Sequence, residues 1–390
     1  MYQALYRKYR SQTFGQLVGQ EVIATTLRQA VEQGKISHAY LFSGPRGTGK
    51  TSVAKIFAKA MNCPNQKGGE PCNECYICEA ITNGSLEDVI EIDAASNNGV
   101  DEIRDIRDKS TYAPSLAPHK VYIIDEVHML STGAFNALLK TLEEPTENVV
   151  FILATTELHK IPATILSRVQ RFEFKSIKTP AIQDHLKAVL DKEGIDYEEE
   201  AVAIIARRAE GGMRDALSIL DQALSLTAGA QLTTATAEEI TGSISQEALD
   251  LYVAALAAQD ATAALDQLNL IFDNGKNMAR FVTDLLQYLR DLLIVQTGGE
   301  NLHVSERFNQ NLAIPQATLF AWIDLATRSL ADIKNSLQPK IYTEMMTIRL
   351  AEYKGEGSSA SQTALPADFL AQMDQLKREV ELLKSQLAQV

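Results

Sequence analysis

Short apolar runs alternate with polar, helix-forming segments through the first half of the chain. Three of these runs have the length and composition of buried parallel strands. They span residues 39–42, 121–126 and 149–154, and a weaker strand pattern covers 86–93. Between them lie segments of helical composition, at 50–60, 99–108 and 133–142. Strands that alternate with helices at this rhythm predict a doubly wound α/β sheet.

Strand patterns end near residue 179, and only helical patterns follow. One helical block covers 179–242, and a second, rich in alanine and leucine, covers 243–354. A segment rich in glycine and serine at 355–366 predicts a flexible linker. From 367 to 390, apolar residues recur at alternating spacings of four and three, which indicates a short heptad helix.

The first apolar run is followed directly by a complete phosphate-binding loop of the form G-x-x-x-x-G-K-T. Strand, glycine loop and helix is the context in which this motif is credible. Backbone N–H groups of such a loop surround phosphate oxygens at the positive end of the following helix. The lysine reaches the β- and γ-phosphates, and the threonine hydroxyl is a ligand for Mg²⁺. The loop consists of Gly44, Pro45, Arg46, Gly47, Thr48, Gly49, Lys50 and Thr51.

Polar residues stand at the carboxyl ends of two later strands. Asp125 and Glu126 follow the second run, and Thr155 and Thr156 end the third. Asp125 is predicted to hold Mg²⁺, directly or through water, and Glu126 to polarise the attacking water. A threonine hydroxyl at the next strand end is predicted to sense the γ-phosphate or hold the water. The alternative for the two acids is a simple cap before the next helix.

Four cysteines fall within one short segment, with the spacing C-x8-C-x2-C-x2-C. The clustering is unlike a disulfide framework spread over a large chain, and it predicts a closed structural Zn²⁺ site. A redox pair and an iron–sulfur cluster are the alternatives. Residues 63–78 thus form a knuckle inserted after the first helix of the nucleotide-binding domain. The predicted ligands are Cys63, Cys72, Cys75 and Cys78.

Charge and hydropathy restrict the partners that the protein can bind. The 390 residues contain 37 basic and 50 acidic side chains, a formal net charge of −13, so the surface as a whole is unsuited to nucleic acid. Arg104 and Arg107 share one helix face and are the candidates for a local DNA contact, with a solvated mixed-charge helix as the alternative. The chain lacks an apolar run of membrane-spanning length, and we expect a cytoplasmic protein without a membrane partner.

Several motifs together resemble one known family. They are the run Asp125-Glu126-Val127-His128-Met129-Leu130, the segment from Phe135 to Pro145, the pair Ser167-Arg168, and the four cysteines. In this combination they resemble the γ/τ subunits of bacterial DNA polymerase III, the ATPase motor of the sliding-clamp loader. The resemblance covers roughly residues 1–360.

This resemblance implies a domain organisation and a set of partners. An AAA+ module at 1–178 would carry the knuckle, 179–242 would form a helical lid, and 243–354 would form a helical collar. The collar would assemble a pentameric ring with δ and δ′ subunits and further γ/τ copies. ATP binding would open the sliding clamp, primed DNA would enter, and hydrolysis would release a closed clamp. The chain would belong to a polymerase holoenzyme without having a polymerase site of its own.

The resemblance also assigns roles to individual residues. Lys50 and Thr51 match Walker A, and Asp125 and Glu126 match Walker B. Thr156 falls on sensor 1, Arg168 on the arginine finger that acts on a neighbour's ATP, and Arg214 on sensor 2. The finger motif departs from the family because Val169 stands where a cysteine is expected. For Arg168 the alternative is an ion pair with Glu173 or another nearby acid that holds the domain edge.

The N-terminal segment is predicted to wrap back over the nucleotide base. Arg10, Leu17 and Val18 are the candidates for that contact, and packing at the domain edge is the alternative. Ser11 replaces a proline that the family has after the arginine. The whole chain has two alternative functions, a non-hydrolysing subunit of the same ring and an AAA+ helicase or branch-migration motor. The intact loop and acids argue against the first, and the knuckle and collar argue against the second.

Overall fold

The structure, a computed structural model, describes residues 3–227, 230–299 and 305–353. The chain divides into two compact units, residues 1–243 and residues 244–390. The predicted linker at 355–366 and the heptad helix at 367–390 lie outside the described residues.

The first unit is built on a five-stranded parallel sheet with the strand order β2-β3-β4-β1-β5. This order requires crossovers in both directions, so the predicted doubly wound α/β fold is confirmed. The strands are β1 (Ala39–Ser43), β2 (Val89–Asp93), β3 (Lys120–Asp125), β4 (Val149–Thr155) and β5 (Gln170–Glu173).

Two strands differ from the sequence prediction. The strand predicted at 86–93 begins only at Val89, because Leu86 is buried against helix residues and its carbonyl accepts a hydrogen bond from the Val89 N–H at 3.1 Å. β5 was not predicted at all. It is a four-residue edge strand whose side chains are mostly exposed, so it lacks the apolar pattern of a buried strand.

Helices cover both faces of the sheet and form the lid that follows it. Those before the lid are α1 (Leu5–Lys8), α2 (Glu21–Glu32), α3 (Lys50–Asn62), α4 (Tyr76–Asn83), α5 (Val100–Ser110), α6 (Thr132–Glu143) and α7 (Ala163–Leu166). The lid helices are α8 (Thr179–Glu193), α9 (Glu199–Arg208), α10 (Met213–Leu226) and α11 (Thr234–Thr241).

Alternate side chains of each central strand enter different cores, as the two-residue period of a strand requires. In β1, Tyr40 and Phe42 pack with α2 and α3 on one face. Ala39 and Leu41 pack with α5 and α6 on the other face. Both layers therefore fix the carboxyl end of β1, from which the glycine loop leaves.

The second unit is all-helical within its described residues. Its helices are α12 (Gln246–Ala257), α13 (Ala261–Asp273), α14 (Met278–Gln296), α15 (Glu306–Asn311), α16 (Gln316–Asn335) and α17 (Pro339–Ala351). One apolar core includes Tyr252, Phe281 and Trp322. The carboxylate of buried Asp250 accepts a hydrogen bond from the Tyr288 hydroxyl at 2.6 Å. Across the described part of the chain, no helix combines the length and apolar character needed to span a membrane.

Candidate nucleotide site and cysteine cluster

The glycine loop leaves β1 and enters α3 through three left-handed glycines. Gly44, Gly47 and Gly49 have φ values of 143°, 76° and 101°, which favour a residue without Cβ. A Cβ on Gly44 would also lie 2.2 Å from the carbonyl oxygen of Phe174. The loop therefore needs glycine for conformation at all three positions and for space at Gly44, and its last two residues, Lys50 and Thr51, begin α3.

The side chain of Lys50 lies inside this loop. It is 6% exposed, and its Nζ donates hydrogen bonds to the carbonyl oxygens of Gly44 and Pro45, both at 2.7 Å. Burial lowers the pKa of Lys50, while the nearby carboxylates of Glu126 and Asp125 oppose that change. A buried cation and the N-terminus of a 13-residue helix thus meet in one place, an arrangement suited to an anion.

Thr51 and Asp125 meet beside the lysine. The Thr51 hydroxyl donates to Asp125 Oδ2 at 2.7 Å, and the Glu126 N–H donates to Asp125 Oδ1 at 2.9 Å. Hydroxyl and carboxylate oxygens are the ligands that Mg²⁺ takes in phosphate sites, so these residues fit that ion. The two predicted metal ligands, 74 residues apart in sequence, are therefore in direct contact.

Glu126 occupies a strained position at the end of β3. Its φ and ψ are 47° and 44°, in the left-handed region that non-glycine residues rarely adopt. The Thr156 hydroxyl donates to Glu126 Oε2 at 3.0 Å. Thr155 is fully buried, and its hydroxyl lies 3.0 Å from His128 Nδ1. Of the two threonines, Thr156 is thus the one whose hydroxyl reaches the carboxylate.

His128 also belongs to this site, although no role for it is predicted from the sequence. Its side chain is 6% exposed and lies between two carboxylates. Nε2 is 3.2 Å from Glu157 Oε1, and Nδ1 is 3.5 Å from Glu126 Oε2. The available signal was its position two residues after Glu126, but the sequence could not show that His128 contacts Thr155 and Glu157 at the end of β4.

The lid and the N-terminal segment also reach the loop. The backbone N–H of Arg214, in the first turn of α10, donates to the Gly47 carbonyl at 3.4 Å, and its guanidinium lies 5.3 Å from the Tyr6 ring centroid. Arg10 Nε donates to Ser52 Oγ at 2.9 Å. Leu17 packs on the sheet core, and Val18 packs on the lid core. The N-terminal segment therefore connects the loop, the sheet and the lid.

Arg168 takes no part in the contacts around Lys50. Its guanidinium pairs with Glu143 Oε1 at 2.6 Å and donates to the Thr164 carbonyl at 2.6 Å. The alternative role for Arg168, an ion pair that holds the domain edge, predicts an acidic partner. In the structure that partner is Glu143 and not Glu173. The side chain remains 32% exposed and lines an open surface cleft.

Arg104 and Arg107 both pair with acids of their own helix. Arg104 Nη1 lies 2.9 Å from Asp101 Oδ1, and Arg107 Nη2 lies 2.7 Å from Asp108 Oδ1. Exposed ion pairs of this kind are what a solvated mixed-charge helix, the alternative to a DNA contact, predicts. A role for either arginine at DNA stays a prediction.

The four cysteines converge although they come from three structural elements. Cys63 directly follows α3, and Cys72 lies in the loop between α3 and α4. Cys75 is the N-cap of α4, and Cys78 lies in its first turn. All four Sγ atoms lie within 4.8 Å of one another, with Cys63 Sγ 3.4 Å from Cys72 Sγ and 3.9 Å from Cys75 Sγ. A tetrahedral Zn–S distance of about 2.3 Å implies sulfur separations of about 3.8 Å, so the cluster fits this metal.

The immediate surroundings of the sulfurs suit thiolate ligands. The Cys72 N–H lies 3.4 Å from Cys63 Sγ, and the Cys78 N–H lies 3.5 Å from Cys75 Sγ. Hydrogen bonds from the backbone N–H groups of Glu74 and Cys75 lower the pKa of the Cys72 thiol to about 6. Such N–H donors orient and stabilise the ligands of a metal site.

Three family models match successive parts of the chain. The model for "DNA polymerase III, delta subunit" matches residues 19–178, that for "DNA polymerase III clamp loader subunit, ATPase lid domain" matches 181–229, and that for "DNA polymerase III subunits gamma and tau domain III" matches 232–360. Together with the sheet order and the glycine loop, they define an AAA+ P-loop protein with a helical lid.

Curated relatives narrow this class to one family. The DNA polymerase III subunit tau of Bacillus subtilis is 50% identical over 98% of this chain and 69% of its own length. The subunit gamma of Buchnera aphidicola is 38% identical over 90% of this chain and 98% of its own length. The chain belongs to the γ/τ family of DNA polymerase III clamp-loader subunits, as the sequence motifs predicted.

Other similarities are more distant or partial. The chain spans 62% of the gamma/tau subunit of Mycobacterium tuberculosis, with 38% identity, and 46% of the tau subunit of Escherichia coli, with 43% identity. Among solved structures, a RuvB variant of Thermotoga maritima aligns with a TM-score of 0.46 and 17% identity, covering 78% of this chain and 91% of that one.

Proposed function

We propose that this chain is the ATPase motor of a sliding-clamp loader in chromosomal replication. The observation that carries the proposal is the convergence of Lys50, Thr51, Asp125 and Glu126 at the carboxyl edge of the sheet, in a member of the γ/τ family. Each of these side chains has a distinct use in phosphoryl transfer, and a binding-only subunit would need fewer of them.

Each of these residues has its own role in the hydrolysis of ATP. The loop N–H groups and Lys50 bind the phosphates, and Lys50 exchanges its carbonyl partners for phosphate oxygens. Glu126 takes the proton of the attacking water, and Thr156, hydrogen-bonded to it at 3.0 Å, orients the carboxylate. Mg²⁺ held by Thr51 and Asp125 would neutralise charge on the phosphates. Arg214, whose backbone N–H donates to the Gly47 carbonyl of the loop, would contact the phosphates as the sensor 2 arginine.

The partners follow from the family. We propose that the chain forms a pentameric ring with δ and δ′ subunits and further γ/τ copies in the cytoplasm, and that the ring opens the sliding clamp and loads it on primed DNA. Arg168 would stabilise the charge on ATP bound by a neighbouring subunit. Zn²⁺ held by Cys63, Cys72, Cys75 and Cys78 would stabilise the knuckle structurally.

A clamp-opening assay with purified partner subunits tests this function. Reconstituted rings with wild-type chain should open a fluorescently labelled clamp only when ATP is present. Lys50→Ala should abolish both tight ATP binding and opening, whereas Lys35→Ala, an exposed lysine after α2, should change neither. Rings that open the clamp without ATP would support the non-hydrolysing subunit. ATP-driven strand separation or branch migration without clamp opening would support the motor alternative.

A further inference from the structure

The cysteine knuckle contains a tight hairpin that is held against α2. Lys67 and Glu70 exchange backbone hydrogen bonds of 3.2 and 3.1 Å, and Gly68 and Gly69 between them have φ values of 56° and 78°. Two left-handed residues are the pattern of a two-residue type I′ hairpin. A Cβ on Gly69 would lie 2.2 Å from the Arg28 carbonyl oxygen, so the hairpin packs directly on the α2 backbone.

This hairpin aims the Glu70 carboxylate at the N-terminal segment. Glu70 Oε2 accepts from the Phe14 N–H at 2.8 Å, and Oε1 accepts from the Gly15 N–H at 2.9 Å. Two N–H groups on one ionised carboxylate form a strong and directional contact. Phe14 itself is 3% exposed and packs in the sheet core, so the contact fixes the segment at a buried anchor.

A second contact joins the same segment to the knuckle through a buried lysine. Lys59, on α3, is 1% exposed, and its Nζ donates to Gln12 Oε1 at 2.7 Å and to Asn73 Oδ1 at 2.6 Å. Gln12 belongs to the N-terminal segment, and Asn73 lies next to the ligand Cys72. Lys59 therefore links the N-terminal segment to the knuckle through two hydrogen bonds.

The segment held in this way is residues 10–18, which we call the strap. At its start Arg10 donates to Ser52, the residue after Thr51, and at its end Val18 packs on the lid core. The strap thus runs from the helix of the phosphate loop to the lid, with both knuckle contacts between these two ends.

We propose that the knuckle anchors the strap through Glu70 and, by way of Lys59, through Asn73, and that this anchor sets the affinity of the site for adenine nucleotides. The inference rests on the nucleotide-binding function proposed above. The strap contains Arg10, Leu17 and Val18, the residues predicted to contact the nucleotide base. A free strap would therefore have to be ordered each time nucleotide binds. The apparent dissociation constant rises in proportion as the binding-competent conformation becomes less populated. The knuckle would thereby act on binding without touching the phosphates.

The test compares Glu70→Gln with Glu74→Gln in the full chain. Glutamine keeps the size of Glu70 but removes the charge that holds two N–H groups. Glu74 lies in the same knuckle, and Glu74→Gln changes only its exposed side chain while keeping the backbone N–H that donates to Cys72. Among the described residues, that side chain makes no hydrogen bond to the strap. Three quantities are measured: the Kd for ADP by titration calorimetry, zinc content by elemental analysis, and hydrogen exchange at the Phe14 and Gly15 amides.

For Glu70→Gln we expect roughly three- to thirty-fold weaker ADP binding and loss of amide protection at residues 14 and 15, with Glu74→Gln like wild type. Lys59→Met should weaken binding in the same direction. An ADP affinity of Glu70→Gln within twofold of Glu74→Gln overturns the inference, whether or not the variant keeps zinc. Unchanged protection of the two amides overturns it as well. Wild-type chain that binds no adenine nucleotide would instead refute the proposed function.

Discussion

Replacing Arg168 with alanine distinguishes a structural ion pair from an arginine finger, because the two roles predict losses of different size in different quantities. The ion pair with Glu143 is partly exposed, with side-chain exposures of 32% and 50%. Pairs of this kind contribute about 0.2–1 kcal/mol, so Arg168→Ala should lower the free energy of unfolding by about 1 kcal/mol or less. An arginine finger accounts for roughly 10³–10⁵ in rate, which corresponds to about 4–7 kcal/mol in the activation free energy.

The assay measures steady-state ATP hydrolysis in reconstituted rings, and ATP binding by the isolated chain. Arg168→Ala should lose hydrolysis by roughly 10³-fold or more in the ring and keep ATP affinity within about twofold, because the finger acts on a neighbour's nucleotide. Glu143→Gln is the matched control, since it breaks the same ion pair and keeps the guanidinium. It should leave hydrolysis near the wild-type rate.

Mixed rings decide whether the effect operates between subunits. When Arg168→Ala chains are mixed with Lys50→Ala chains, hydrolysis should return at sites where an intact Lys50 faces an intact neighbouring Arg168. Two results would refute the reasoning. One is a Glu143→Gln chain as inactive as Arg168→Ala, which would assign the effect to the ion pair. The other is a loss confined to ATP held by the subunit that carries the Arg168 change.

Three further predictions concern the water, the metal and a buried acid. Glu126→Gln should keep ATP binding and lose turnover in the assembled ring, because an amide is not a base; unchanged hydrolysis would place the base elsewhere. Elemental analysis of reduced protein should find one zinc per chain, with none in Cys72→Ser; metal-free wild type would contradict the site. Asp88 is 1% exposed, and burial would raise its pKa, but N–H groups of Ser115, Ala117 and Leu116 lower that pKa below its ordinary value. Its stabilisation should therefore be complete above about pH 4 and be lost at lower pH. Asp88→Asn should cost roughly 1.5–3 kcal/mol in urea unfolding at pH 7 and less at pH 3, and an equal loss at both would show that the charge is irrelevant.

Local motifs in the sequence were sufficient for the class and the family. Eight consecutive residues, 44–51, define the phosphate loop, because the glycine conformations and the start of α3 depend on neighbours in the chain. Buried central strands such as β3 and β4 are apolar along most of their length, which made them recognisable. The cysteine spacing likewise predicted that the four residues come together, and the structure brings their sulfurs within 4.8 Å of one another.

Contacts between distant residues could be decided only by the tertiary structure. Edge strand β5 exists because β1 offers it hydrogen-bond partners, and its own exposed residues give little signal. The partner of Arg168 is Glu143, 25 positions earlier, and Glu70 reaches an N–H group 55 residues away. The sequence contains many acidic residues that could pair with Arg168 or with the N–H groups of the N-terminal segment. Which of them pairs is settled by tertiary packing, of α6 and α7 for Arg168 and of the hairpin on α2 for Glu70, since a hydrogen bond or close ion pair needs its two atoms within about 3.5 Å.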